Sequence, residues 1–227
     1  MQYKKEKDFA IKLRKEGFSY SEILKKIPVA KSTLSLWLRS VNLSKKQNQR
    51  LTEKKILAQK RGAKARKNIR ISQTQDIFNK TKNDLGEILK DGLWLAGIML
   101  YWAEGAKQKE NNPSSPIRFS NMDDKMIRLF VEWSKNYLGI KKEDITYDLY
   151  IHESGNMEKS LNYWTNRLGC RESNIRVYLK RSKLKTNRKN IGENYYGVIR
   201  INIKKSSALN RKISSWASHL CSHWGIV

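Results

Sequence analysis

The chain has 227 residues, in which 47 lysines and arginines face 21 aspartates and glutamates, for a formal net charge of +26. That length admits one medium domain, or a small domain beside a larger one. The charge points to a polyanionic partner, nucleic acid first, and the cations are spread through the chain with no long apolar segment or lipidation motif, which argues against a membrane surface.

Residues 3–16 have a helical pattern with Phe9, Ala10 and Leu13 on one face. Gly17 ends that helix, and Ser19 with Glu22 three residues on makes a capping box for a short second helix over 20–27. Residues 28–31 turn the chain, and Ser32 is expected to cap a third helix over 33–41 with Leu34, Trp37 and Leu38 inward. Two short helices joined by a tight turn, the second rich in Ser, Thr, Lys and Arg, read as a helix-turn-helix. The segment resembles the DNA-binding heads of resolvases and many repressors. Lys31, Ser32, Thr33, Ser35 and Arg39 would then face a major groove, and a three-helix protein-interaction module is the alternative. From 45 to 70 the charge is almost wholly positive, with Glu53 the only acid and few apolar residues. This reads as a basic linker helix tracking phosphates, Arg61 and Lys64 among its contacts, with Gly62 as an expected interruption; a solvated charged helix is the bland alternative. An amphipathic helix follows over 71–90. The expected organisation is thus 1–43, 44–90 and 91–227.

Residues 93–105, Leu-Trp-Leu-Ala-Gly-Ile-Met-Leu-Tyr-Trp-Ala-Glu-Gly, are the longest apolar run. The run is short of the roughly 20 residues that span a bilayer. Gly105 is expected to be a left-handed helix cap. Glu104 would then sit at the negative end of the helix dipole, which costs an acidic side chain about 0.3–1 kcal/mol. A hard divalent cation would compensate there; a core helix ending in a solvated Glu is the other reading. Met99-Leu100-Tyr101-Trp102-Ala103-Glu104-Gly105 resembles the second half of the LAGLIDADG motif, and the literal Leu95-Ala96-Gly97 stands two residues early. The resemblance, over roughly residues 90–220, implies an αββαββα unit whose motif helix packs against a second unit. Ala96, Gly97, Met99, Leu100 and Ala103 would form that interface, and Glu104 with Gly105 would hold the catalytic metal, Mg²⁺ being the expected cofactor. A single motif implies a homodimer with two Glu104 residues near the two-fold axis and a near-palindromic duplex target.

After Gly105 a polar strand is expected over 106–110, carrying Lys107 and Lys109, then a loop over 111–115 and a strand over 117–121 carrying Arg118. Asp123 or Asp124 opens a helix to Leu138 with Met126, Ile127, Phe130, Trp133 and Tyr137 inward and Gly139 as its cap. Residues 145–152 alternate: Ile145, Tyr147, Leu149 and Ile151 on one face, and Thr146, Asp148, Tyr150 and His152 on the other. A helix over 157–168 is capped by Gly169. The strand over 175–180 sets Ile175, Val177 and Leu179 opposite Arg176, Tyr178 and Lys180. The loop over 181–194 carries Lys183, Lys185 and Arg188. A last strand over 198–204 turns Arg200, Asn202 and Lys204 outward, and Ser206 is expected to cap a final helix to about His219. The fold class is α+β: a LAGLIDADG-like αββαββα unit with an extra helix and strand, preceded by the all-α helix-turn-helix and the linker helix. Each strand keeps an apolar face for helices and a polar, largely basic face, which the resemblance assigns to duplex DNA. The resemblance also implies that Arg200 polarises the reacting phosphate or water, with Lys180 and Lys204 as rivals.

His219, Cys221 and His223 alternate near the end of the chain, poor spacing for tetrahedral zinc, and a frayed helix end is expected there. No Gly-rich phosphate loop followed by Lys occurs, so nucleotide hydrolysis is not supported. Two cysteines make no disulfide framework, and the first residues lack the apolar stretch of a signal peptide. The expected location is the cytoplasm, at the nucleoid. The expected function is that of a sequence-specific double-stranded DNA-binding protein, a Mg²⁺-dependent endonuclease working as a homodimer. A catalytically inactive regulator, like WhiA-type transcription factors, is the alternative, and an RNA-binding or intron-splicing cofactor a third reading.

Overall fold

Ala10, Leu13, Ile23, Ile27, Leu34 and Leu38 are buried against one another, and the N-terminal unit folds around them. The computed structural model describes residues 2–109, 112–181 and 194–226, in two units, Met1–Arg70 and Ile71–Val227. Helix α1 (Gln2–Lys15) ends at Gly17, whose φ of 91° and neighbouring Gln47 side chain leave no room for a Cβ. Helix α2 (Tyr20–Leu24) begins with the expected capping box: the Glu22 amide donates to Ser19 Oγ and the Ser19 amide to Glu22 Oε2. Helix α3 (Lys31–Trp37) starts two residues earlier than expected. Its N-cap is Ala30, which has no side-chain bond to offer, and Ser32 lies inside the first turn instead of capping it.

Helix α4 (Lys45–Thr81) opens with a second reciprocal pair, Ser44 and Gln47, and runs through Gly62 without a break. The first turns of α4 are fixed to α1 and α2. Gln47 Nε2 donates to the Lys15 carbonyl at 2.8 Å, Arg50 Nη2 to the Gly17 carbonyl at 2.5 Å, and Lys54 Nζ to Glu22 Oε1.

The second unit begins within α4. The helix expected over 71–90 is divided: residues 71–81 are the end of α4, and a short 3₁₀ turn separates them from helix α5 (Leu85–Lys90). Helix α6 (Gly92–Glu104) is started by Asp91, whose Oδ1 accepts from the amides of Leu93 and Trp94, both at 3.0 Å. The Oδ2 of Asp91 accepts from Tyr137 Oη at 2.7 Å, tying the start of α6 to the end of α7 (Asp124–Leu138). Gly97 lies under the Trp133 indole, where a Cβ would collide with the ring, and Trp133 Nε1 donates to the Trp94 carbonyl. Stacked rings of Tyr101, Phe130 and Phe119 continue this aromatic core.

The α+β class is correct, and the sheet is mixed: β1 (Arg118–Asn121), β2 (Ile145–His152), β3 (Ile175–Lys180) and β4 (Val198–Ile203) lie in the order β1-β4-β2-β3. Strand β4 is antiparallel to both neighbours, while β2 and β3 are parallel. The crossover helix α8 (Met157–Leu168) is what allows two successive strands to run the same way. Of the strand expected over 106–110, the described residues 106–109 form no ladder. Isolated bridges at Gly105–Phe119 and Lys109–Asn112 stand there instead, and side chains take over the role of a ladder. Asn210 Nδ2 donates to the carbonyls of Ala106, Ser115 and Pro116, and Gln108 Nε2 to those of Ser115 and Ser207.

Helix α9 (Ser207–His223) continues past His219 instead of fraying. His219 is buried, with Nε2 2.9 Å from the Phe78 carbonyl and its ring 4.3 Å from that of Phe78. Ser206 does not cap this helix by its side chain: its hydroxyl donates to the Ile203 carbonyl and accepts from the Ile117 amide, tying β4 to the start of β1. Among the described residues no helix is long and apolar enough to cross a membrane.

Candidate nucleic-acid interface

The alternation of the strands decides which side chains share the polar face of the sheet. In β2, Ile145, Tyr147, Leu149 and Ile151 are buried while Thr146, Asp148, Tyr150 and His152 are only half-buried on the other side. Burial pushes the Tyr147 phenol up to about 12, so it stays protonated inside. In β4 the same holds for Ile199, Ile201 and Ile203 against Arg200 and Asn202. The register then aligns one row straight across the sheet: Ser120, Arg200, Asp148 and Arg176, one residue from each strand. Beside it run the rows Arg118–Asn202–Thr146 and Tyr150–Tyr178, and beyond them His152–Lys180.

Hydrogen bonds fix the centre of this face. Arg200 Nε donates to Ser120 Oγ at 3.1 Å and Nη1 to Tyr150 Oη at 2.7 Å, while the guanidinium lies 4.6 Å from the Tyr150 ring centroid. Asn202 Nδ2 donates to Asp148 Oδ2 at 2.8 Å. Arg118, Arg176 and Lys180 are exposed around this core. Lys204, just past β4, is exposed and donates to the Glu143 carbonyl at 2.9 Å. Lys107 and Lys109 are exposed on the bridged segment after α6. Lys183, Lys185 and Arg188 lie outside the described residues.

Glu104 is the last residue of α6 and exposed. The chain leaves the helix in extended form: Gly105 has φ −75° and ψ 155°, not the left-handed conformation expected of a cap. Glycine is needed there for a different reason, because a Cβ would strike the Tyr101 ring. Tyr101 Oη in turn donates to the Ala106 carbonyl, and burial pushes its phenol pKa up. The antiparallel Gly105–Phe119 bridge sets the register of this segment. Glu104, the residue before this bridge, therefore leaves α6 beside the edge strand β1. Among the described residues no three His, Cys, Asp or Glu side chains gather into a metal-holding group.

On α6 the expected contact residues divide. Ala96, Met99 and Ala103 are exposed, together with Leu93 and Trp102, and Leu100 is half-buried. Gly97 belongs to the opposite side of the helix: Trp133 covers it within the chain, so it is removed from the expected interface.

In the first unit, Lys31, Ser32, Ser35 and Arg39 are exposed in one stripe of α3 and the turn after it, and Thr33 is half-buried. Leu36, missed by the sequence reading, lies in the same stripe and is 70% exposed. Its spacing from Ser32 and Arg39 was the available signal. Arg61 and Lys64 are exposed on α4. Also missed were Ser120, Asp148 and Tyr150, whose role comes from cross-strand register. Comparison of the chain with protein-family models, with curated proteins and with solved structures finds no match in any of the three.

Proposed function

We propose that this chain is a sequence-specific double-stranded DNA-binding protein that acts as a homodimeric, Mg²⁺-dependent endonuclease of the LAGLIDADG type. The observation that carries this reading is where α6 ends: Gly105 is bridged to Phe119 of the edge strand β1, so the preceding Glu104 lies at the edge of the sheet whose open face carries Arg200 and Arg176. The order of α6, β1, α7, β2, β3, β4 and α9 supports the family's unit, with α8 and one of the three strands after α7 as additions and the family's first strand replaced by side-chain bonds. One carboxylate per chain suits Mg²⁺, which keeps several waters and is commonly bound through one or two carboxylates plus phosphate oxygens. Glu104 would supply the protein ligand, and the bound ion would stabilise charge on the phosphate oxygens during phosphodiester hydrolysis. Arg200, pre-positioned by Ser120 and Tyr150, would bind a phosphate oxygen without having to be ordered first. The exposed apolar residues of α6 support pairing with a second copy, and the exposed stripe of α3 supports major-groove reading.

One observation favours the second reading, a catalytically silent regulator on the same architecture. The Arg200 guanidinium is already engaged by Ser120, Tyr150 Oη and the Tyr150 ring, as a purely structural arginine would be. Mg²⁺-dependent cleavage of a randomised duplex library separates the two. Glu104→Gln keeps size and hydrogen bonding but removes the charge a hard cation needs. The endonuclease reading expects this change to abolish cleavage while duplex affinity in Ca²⁺ is retained. Absence of cleavage by the unaltered protein with any divalent ion leaves the regulator, and cleavage that survives Glu104→Gln places the active site elsewhere.

A further inference from the structure

Three planar groups stand side by side on the open face of the sheet. The Arg200 guanidinium on β4 lies 4.6 Å from the Tyr150 centroid on β2, and the Tyr150 and Tyr178 rings are stacked at 5.0 Å and 14° between planes. Tyr178 is on β3, an edge of the sheet among the described residues, and it remains 43% exposed. Its neighbours on the same face of β3 are Arg176 and Lys180, each two residues away and therefore about 7 Å along the strand, and both exposed. The edge thus repeats cation, aromatic ring, cation, and the stack ends on Tyr178, whose ring is well exposed.

We infer that the Tyr178 edge of the sheet binds an unpaired base of a nucleic-acid strand, the base stacking on Tyr178 while Arg176 and Lys180 take the flanking phosphates. The chemistry is specific to unpaired bases, because a base inside a duplex has its faces covered by its neighbours and offers only its edges. Arg200 and Tyr150 hold the platform from behind: the guanidinium fixes the Tyr150 ring by hydrogen bond and by stacking, and Tyr150 fixes Tyr178 in turn. A tyrosine pair that serves only to join β2 to β3 would give the same distances, so the test must read stacking itself. The inference rests on the reading that this sheet face meets nucleic acid. It adds that part of the bound target is unpaired.

The experiment compares oligo(dT), oligo(rU) and a mixed-sequence duplex of equal length, at one salt concentration, by fluorescence anisotropy with the full chain. Tyr178→Ala is expected to weaken single-strand binding about tenfold, the usual effect of removing one stacking ring. Tyr178→Phe and Tyr178→Trp are expected to retain it, and all three to leave duplex affinity unchanged. Whichever of the two single strands shows the loss identifies the sugar that the edge accepts. A 2-aminopurine in that strand should be quenched by the unaltered protein and by Tyr178→Phe, but not by Tyr178→Ala. Equal loss on duplex and single strand, no loss at all, or quenching that persists in Tyr178→Ala overturns the inference. Binding of duplex with no binding of either single strand overturns it while leaving the proposed function standing. Binding of none of the three removes both.

Discussion

Glu22 carries more of the first unit than one surface acid usually does. It closes the capping box with Ser19, accepts from Lys54 and lies 3.6 Å from Arg50, so one carboxylate joins the start of α2 to α4. The hydrogen bond from Lys54, followed by that from the Ser19 amide, lowers its carboxyl from an ordinary 4.5 to about 2. A carboxyl lowered by folding contributes stability that is complete above its unfolded value and is lost as pH falls through the folded one. The α2–α4 junction should therefore hold above pH 4.5 and loosen as pH falls toward 2. In Lys54→Met the carboxyl ¹³C resonance of Glu22 should titrate closer to 4.5 than in the unaltered protein, and an unshifted titration would mean that Lys54 is not its main partner. The capping box was legible in the sequence because both partners lie within four residues. Asp91 was not, because its second bond goes to Tyr137, 46 residues away; the Trp94 amide and then the Tyr137 hydroxyl lower the Asp91 carboxyl, and the same bond raises the Tyr137 phenol. Gly105 was legible as a necessary glycine but for the wrong cause: a Cβ clash with Tyr101, not a positive φ.

Among the elements, the strongly periodic ones were readable from their residues alone. Strands β2 and β3 have the bounds their alternation gives, and α7 and α8 end at Gly139 and Gly169, both left-handed with φ 64° and 57°. In the strand expected over 106–110, Ala106 and Gln108 bond instead to Asn210 and Ser207, about a hundred residues on, which no local pattern reveals. Parallel pairing of β2 with β3 was equally hidden, and with it the contact between Tyr150 and Tyr178. Helix α3 tests the major-groove reading, since Leu36 offers an apolar surface of the kind that meets a thymine methyl. Leu36→Ser should shift the sequences selected from a randomised duplex library at one or two positions, by about 1–3 kcal/mol of discrimination, with little change in non-specific affinity. An unaltered selection profile would show that this face reads no bases.

For the whole molecule, the proposed dimer turns on α6. Its exposed Leu93, Met99 and Trp102 are apolar surface that pairing would remove from water. Met99→Asp should leave a monomer by light scattering, since an unpaired charge buried at the interface costs on the order of 3–5 kcal/mol, whereas Met99→Leu should remain dimeric. A monomer for the unaltered protein, both free and on DNA, would end the dimer reading. The division between the two units has a further consequence. It falls in a helix whose side chains are all exposed from Thr52 to Ile69, so that stretch is held by its own backbone bonds and by little packing. Lys60, Arg61, Lys64, Arg66 and Lys67 lie along it. A trypsin-like protease needs a basic residue in a stretch that can unwind locally, and this helix has the residues and little packing to hold it closed, so it is where the chain should first be nicked. The cut would separate the N-terminal unit from the unit that holds the sheet, and phosphates laid along the same lysines and arginines, as the proposed function expects, would shield the bonds beside them.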